Sequence, residues 1–311
     1  MTRRWCPAAG CCLAILLCAA RVSGETVLEA TAACAGRRLL PTRGNASTSV
    51  GLVRIQKTGS TTLSHIWDLQ KRRLGKDAWE DWTHSNHYDW GDVTRSKRQN
   101  HPSKDLVVVD LRDPVERVLS EYYFCTSRLN CVQQEQWDYK KRAENANVSA
   151  LFRRMVDHVY GHGAGLGLRE WVAWPDNPAH ERMANYVSGF RYGRKKNNSH
   201  FGLDVAVDHL CGPRAIVLLS ADAPNASLAL VRAQLGWQVS EKEWAQHRPP
   251  GSPHFDGAPN HLPPRPDRVD VDAATRADIK ARNPRDSALY EVAQAIVADR
   301  AAMLARAPPA S

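Results

Sequence analysis

Three continuous apolar runs stand out along the chain, at residues 49–55, 105–111 and 215–221. The second of them, Asp-Leu-Val-Val-Val-Asp-Leu, is typical of a parallel strand that is covered on both faces. A helical pattern of apolar positions follows each run, so the chain repeats a β-loop-α unit. Such units predict an α/β fold, a parallel sheet flanked by helices with right-handed crossovers, whose ligand sites lie at the carboxyl ends of the strands.

The polar residues between the runs indicate where the helices begin. Residues 61–73 and 227–237 predict the helices after the first and third runs. For the helix after the second run, Asp113 is a good N-cap and Pro114 a good first residue. One apolar stripe of that helix is formed by Val115, Val118, Leu119 and Tyr122.

Prolines interrupt the last part of the chain. Residues 246–268 contain seven prolines and predict either a disordered insert or a long ordered loop over the site. Residues 272–304 have a helical pattern that breaks at Asn283-Pro284.

The segment Arg54–Trp67, between the first strand and its helix, has the composition of a phosphate-binding loop. Successive backbone N–H groups of a loop that opens a helix point at one spot, and the helix dipole favours an anion there. Lys57 adds a positive charge. The segment lacks the G-x-x-x-x-G-K-[ST] spacing of NTPases, and an ordinary strand-to-helix turn with a solvated lysine is the alternative. Hydroxyl donors are added by Thr58, Ser60, Thr61 and Thr62.

A second basic element follows the second strand. Arg112 stands at its carboxyl end, where the strand before Lys57 also ends, so we expect both cations to face one crevice. Ser120 lies about two helical turns further along. A lone Arg-Asp-Pro is usually a salt-bridged turn, but two such elements on neighbouring strand ends indicate a ligand with two phosphate-like groups.

Composition limits the partners. A chain of 311 residues with a formal charge of +9 and a pI near 9.2 favours anionic ligands. Its basic residues are dispersed, without zinc-finger spacing or an RNP motif, so nucleic acid is not expected. No C-x-x-C, H-E-x-x-H or other His/Cys cluster occurs, and no metal ion is expected.

The N-terminus directs the chain to the secretory pathway. Residues 1–24 combine two arginines, an apolar stretch and small residues, as a signal peptide or a short type II signal anchor does. We expect residues 25–47 to form a lumenal stem, 48–305 the domain, and 306–311 a tail. Membrane contact is expected only through the first segment, if it is not cleaved.

Cysteines and glycosylation sequons agree with a lumenal location. Four of the eight cysteines lie in residues 1–24, and the remaining even set suggests two disulfides. The pair Cys125–Cys131 is the easier loop to close, which leaves Cys34–Cys211; free buried thiols are the alternative. N-x-[ST] sequons occur at Asn45, Asn147, Asn197 and Asn225.

Two motifs resemble those of a known family. "IQKTGSTTL" resembles the 5′-phosphosulfate loop of Golgi carbohydrate sulfotransferases, especially the heparan sulfate 6-O- and 2-O-sulfotransferases. "LRDPVERVLSEYY", about fifty residues on, is similar to their 3′-phosphate element. Weaker resemblance at residues 177–190, 215–237 and 283–293 extends the similarity over most of 48–300.

The resemblance implies a PAPS-dependent sulfotransferase fold and the cofactor 3′-phosphoadenosine 5′-phosphosulfate (PAPS). It implies that Arg112 and Ser120 hold the 3′-phosphate, while Arg117 is either part of the motif or a surface residue. His87 occupies a His-x-Asp-Trp segment that resembles the catalytic base of the 6-O enzymes, and His84 is the alternative. The 5′-phosphosulfate would be wrapped by Lys57, Thr58, Gly59, Ser60, Thr61 and Thr62, with Lys57 on the bridging oxygen.

The expected function is therefore transfer of a sulfuryl group from PAPS to a hydroxyl of a carbohydrate. The expected acceptor is an anionic glycan, such as a glycosaminoglycan-like polysaccharide, and the expected compartment is the Golgi lumen. Three alternatives are open: sulfation of protein tyrosine, a P-loop kinase, and a non-catalytic lumenal glycan-binding protein.

Overall fold

The computed structural model describes residue 34 and residues 49–74, 90–94, 104–127, 146–159, 166–174, 177–189, 202–246 and 271–306. Within them, one parallel sheet has the order β1-β2-β3. Its register places Val50 beside Leu106 and Val107 beside Ala215. The strands are β1 Val50–Val53, β2 Leu106–Asp110 and β3 Ala215–Leu218.

Helices follow the strands and cover the sheet. The helix after β1 is α1, Ser60–Leu74, and the helix after β2 is α3, Pro114–Ser127. The helix after β3 is α8, Pro224–Leu235. The other described helices are α2 Trp90–Thr94, α4 Ala146–Val159, α5 Leu168–Ala173, α6 Arg182–Ser188, α7 Leu203–Cys211, α9 Glu241–Gln246, α10 Ala273–Ala281 and α11 Pro284–Arg306.

The predicted fold class and the strand-helix units are confirmed. The N-cap forms as expected, since Asp113 Oδ1 accepts a hydrogen bond of 3.0 Å from the backbone N–H of Glu116. The predicted break at Asn283-Pro284 separates α10 from α11. The strands are shorter than the apolar runs, and Ile55 and Leu111, just beyond β1 and β2, are still fully buried.

Apolar side chains form two buried clusters. The larger one contains β1, β2 and β3 with side chains from helices on both faces, which explains the continuous apolar runs. The smaller one joins α3, α4 and α5, with Ile279 of α10 completing it. The loops before α1 and α3 begin at the carboxyl ends of β1 and β2, so both basic elements are anchored to strands of the buried core.

Disulfide bonds link parts of the chain that do not belong to the sheet. Cys34 is bonded to Cys211, at the end of α7, with their Cα atoms 5.1 Å apart. Cys125 is also disulfide-bonded, while Cys131, its predicted partner, lies outside the described residues. Residues 1–24, most of the stem 25–47, the proline-rich 247–268 and the end of the tail lie outside them too. None of the described helices is long and apolar enough to span a bilayer.

Candidate functional site

The loop between β1 and α1 has an unusual backbone. Lys57 has a φ of 66° and Gly59 a φ of 114°, both in the left-handed region. The first hydrogen bond of α1 runs from Leu63 N to Gly59 O, at 3.2 Å. The backbone N–H groups of residues 60–62 therefore belong to the first turn, where a helix offers its N–H groups to outside acceptors.

The predicted hydroxyl donors of this loop divide into two groups. Thr58 is fully buried, and its hydroxyl donates to Ile55 O at 3.2 Å. Its hydroxyl proton is thus used within the loop, and a contact between Thr58 and a donor stays a prediction. The backbones of Ser60, Thr61 and Thr62 open α1, while their side chains lie outside the described part of the chain.

Gly59 approaches two buried side chains that the sequence analysis did not select. The carboxylate of Asp110, at the end of β2, accepts hydrogen bonds from Ser220 N (2.9 Å) and Ser220 Oγ (2.5 Å). A Cβ on Gly59 would overlap Ser220 Oγ and lie 2.6 Å from Asp110 Oδ2. The loop is therefore seated on the ends of β2 and β3, and only glycine fits at its closest point. An acidic residue at the end of an apolar run was the sequence signal for this contact.

We expect Gly59→Ala to destabilise the protein more than Gly236→Ala. Both glycines have a positive φ, but a Cβ on Gly236 meets nothing within 4 Å. Gly236→Ala should cost about 1–2 kcal/mol from backbone strain alone. Gly59→Ala adds a steric overlap and should cost about 2–5 kcal/mol in all. Urea unfolding measures both, and equal losses would contradict the seating of the loop.

Arg112 joins the second basic element to this loop. Its Nη1 donates to the backbone carbonyl of Lys57 at 3.2 Å, and its Nη2 lies 4.0 Å from Glu116 Oε2. The side chain keeps 16% exposure. Arg112 thus contacts the loop that carries Lys57, and the shared crevice for the two charged groups stays a prediction. Ser120 is half-buried on α3, the helix that begins two residues after Arg112.

The N-terminus of α3 is occupied by carboxylates. Asp222, in the loop after β3, accepts from Asp113 N at 2.8 Å, and Tyr290 OH donates to the same oxygen at 2.8 Å. Burial and the bond to Asp222 raise the pKa of Tyr290. The start of α3 is therefore already capped by the carboxylates of Asp113 and Asp222.

The ammonium of Lys57 lies over an aromatic ring. Its Nζ is 2.9 Å from the centroid of Phe124, which is on α3 one turn beyond Ser120. A cation over a ring face is attracted by the ring quadrupole. The contact draws the lysine side chain toward α3, the helix that follows Arg112.

Arg117 belongs to a buried ion-pair network, so the surface reading of this residue was wrong. Arg117, Glu121 and Arg182 are each at most 1% exposed. Glu121 accepts from Arg117 Nη1 at 2.6 Å and from Arg182 Nη2 at 2.7 Å, and Arg117 also donates to Ala179 O. Burial alone would raise the pKa of Glu121, but the charges of Arg182 and Arg117 outweigh it and lower that pKa.

A pair of carboxylates, Glu181 and Asp286, links the start of α6 to the start of α11. Glu181, at a φ of 53°, accepts from the backbone N–H groups of Arg285 (3.0 Å) and Asp286 (2.8 Å) at the start of α11. Asp286 in turn accepts from Met183 N at 3.2 Å and Ala184 N at 2.8 Å. Burial, followed by the charge of Asp286, raises the pKa of Glu181 to about 7. The two residues lie in segments 177–190 and 283–293, two of the three whose weaker family resemblance had no assigned role.

We expect the pKa of Glu181 to make stability fall as the pH rises. The folded protein holds this proton more tightly than the unfolded chain, whose ordinary pKa is 4.5. The stabilisation is complete below pH 4.5 and is lost as the pH passes through about 7, by up to about 3 kcal/mol. Glu181→Gln stays neutral, so its stability relative to wild type should increase between pH 5 and pH 8. Urea unfolding at both values checks this, and a constant difference would contradict it.

The remaining predicted residues divide by whether the structure describes them. His87 and His84 lie outside the described residues. Trp90, just after them, is buried, and its ring stacks on that of His209 with the centroids 4.4 Å apart, which gives it a core role.

Of the four predicted glycosylation sequons, the structure describes the side chain of one, Asn225, which is exposed on α8. The side chains of Asn45, Asn147 and Asn197 lie outside the described part of the chain. Within the described ranges, no group of three or more His, Cys, Asp or Glu residues is placed to hold a metal ion.

The parallel sheet, the loop that opens α1 and the two cations after adjacent strands form a site that suits an anionic group. Residues 46–200, which contain this loop, both cations and α6, match the model of the sulfotransferase family. On this match the chain is a sulfotransferase. No curated protein and no solved structure matches it.

Proposed function

We propose that this sulfotransferase transfers the sulfuryl group of PAPS to a hydroxyl of an anionic carbohydrate in the Golgi lumen. The observation that carries the proposal is the contact between Arg112 and the backbone of Lys57. It joins the basic elements that follow two neighbouring strands, as a donor with phosphate groups at both ends of its nucleoside would need. PAPS is also the donor that the family generally uses.

The described residues fit such a donor. The loop offers the first-turn N–H groups of α1 behind a glycine with a φ of 114°, which suits a phosphosulfate. Arg112 offers a guanidinium that is still partly exposed. The hydrogen bond to Lys57 O fixes the distance between the Arg112 guanidinium and the loop. Ser120 adds a hydroxyl on α3. We assign the 5′ group to the loop and the 3′-phosphate to Arg112 and Ser120.

PAPS supplies an activated sulfuryl group whose departure leaves charge on the 5′-phosphate. The chain's part is to hold that charge and to take the acceptor's proton. Lys57, whose ammonium lies over the ring of Phe124 on α3, would stabilise the leaving oxygen of a bound donor. His87, in the segment before α2, is the proposed base for the hydroxyl proton.

The acceptor and the compartment are proposed from the sequence. A formal charge of +9 favours an anionic glycan over a neutral one. The N-terminal segment, the sequons and the disulfide Cys34–Cys211 suit the secretory lumen. Sulfation of tyrosine uses the same donor, so the acceptor must be tested directly.

Donor and acceptor can be tested separately on the purified lumenal chain. We expect 3′,5′-ADP to raise its Tm well above the value in ATP, because only the former carries a 3′-phosphate for Arg112 and Ser120. A larger shift with ATP would reject the donor and favour a kinase. Transfer of labelled sulfate from PAPS to a glycan panel, but not to acidic tyrosine peptides, would support the acceptor class. No transfer to any acceptor, with no turnover of PAPS, would favour a binding protein.

A further inference from the structure

Phe124 meets Lys57 at the point where the two basic elements come together. Its ring belongs to α3, the helix that carries Ser120 and follows Arg112. The Lys57 ammonium lies 2.9 Å from the ring centroid, and Phe124 is half-buried. None of the motifs that identified the loop includes this contact, which brings together residues far apart in sequence.

Other contacts restrict Lys57 from its backbone outward. Its φ of 66° fixes the direction in which the side chain leaves the loop, and Arg112 holds its carbonyl. Its charge also acts on Glu121, since Lys57 is one of the cations that lower the pKa of that carboxylate. Phe124 and Glu121 both lie on α3, so both interactions direct the ammonium toward that helix.

The chemistry of the ring suits a lysine that must act on an anion. A lysine side chain is flexible and loses considerable rotamer entropy when it is fixed at one oxygen. A carboxylate partner would fix it, but would also neutralise it and repel an anionic donor. An aromatic face attracts the ammonium through the ring quadrupole and adds no negative charge that would repel an anionic donor.

We propose that Phe124 is a positioning residue, whose ring holds the Lys57 ammonium in the crevice in the orientation needed at the donor. The contact with Lys57 stands on the structure alone, whereas its use in transfer rests on the proposed function. The same helix would then hold the donor's 3′-phosphate through Ser120 and orient the cation at its 5′ end through Phe124.

The contact can be tested without any donor. An amine-acetylating reagent reacts only with a lysine that has lost its proton and left the ring. Labelling followed by peptide mass spectrometry should therefore show Lys57 reacting several times faster in Phe124→Leu than in wild type. Phe124→Tyr, which keeps a ring, should return the rate toward the wild-type value. The exposed Lys242 and Lys280 give the reference rates in each sample. Equal Lys57 rates in the leucine variant and wild type would overturn the contact.

The role in transfer is tested by steady-state turnover of PAPS. Phe124→Leu should lower kcat about tenfold with a smaller change in the KM for PAPS, because a loosened ammonium stabilises the leaving group less often. Phe124→Tyr should recover most of that loss. An unchanged kcat in the leucine variant, or equal losses in both, would overturn the positioning role. If the wild-type chain turns over no PAPS, the proposed donor fails, and the labelling result still decides the contact.

Discussion

Replacing Lys57 by alanine is expected to lower sulfuryl transfer by about 10²–10³-fold, the usual cost of removing one group that stabilises developing charge. The substitution leaves the fold in place, because lysine and alanine both carry a Cβ and the backbone strain at a φ of 66° is unchanged. The lost interactions are those of the ammonium. Transfer of labelled sulfate measures the loss, and urea unfolding shows that the variant is folded.

A matched control separates local from general effects of charge. Lys242→Ala removes one positive charge from an exposed position on α9 and should keep nearly full activity. If Lys57→Ala keeps more than about a tenth of wild-type transfer, the assignment of this residue to the leaving group is wrong. Binding of 3′,5′-ADP should fall less than turnover, because Arg112 and Ser120 are intact.

The basic elements could be predicted from the sequence because their chemistry is local. The loop around Lys57 and the cap at Asp113 and Pro114 each depend on a few consecutive residues, and parallel strands place their carboxyl ends at one edge. The second of these rules predicted that Arg112 lies close to the loop around Lys57, and the two are hydrogen-bonded. Burial of the strands followed from composition alone, since an uninterrupted apolar run has no polar face to expose.

The contacts that support those elements could not be predicted in the same way. Glu121 and Arg182 are 61 positions apart, and their pairing depends on how α6 packs against α3. The spacing of Arg117 and Glu121, four residues apart on one helix, was a usable signal for the first pair. The ring of Phe124 offers no such signal, because an aromatic residue on an apolar helix is expected in any core.

Glu121→Gln is expected to be the most destabilising of the polar substitutions considered, with a loss of about 3–5 kcal/mol. Glutamine keeps the shape of glutamate but removes the charge that compensates two fully buried guanidinium groups. Its amide NH₂ would also direct donors at Arg117 or Arg182, which are themselves only donors. The free energy of unfolding, measured in urea, gives the loss.

Glu170→Gln provides the matched control, because it makes the same chemical change in an exposed ion pair. Glu170 lies 3.1 Å from Arg154, with side chains that are 44% and 37% exposed. Water solvates both partners there, so we expect a loss of no more than about 1 kcal/mol. Equal losses at the two sites would show that the buried network adds nothing beyond a surface pair. A large difference would mean that α3, which carries Ser120 and Phe124, is held against α6 by charge compensation in the core. The position of Ser120 and Phe124 beside the loop would then depend on the buried ion pairs of Glu121.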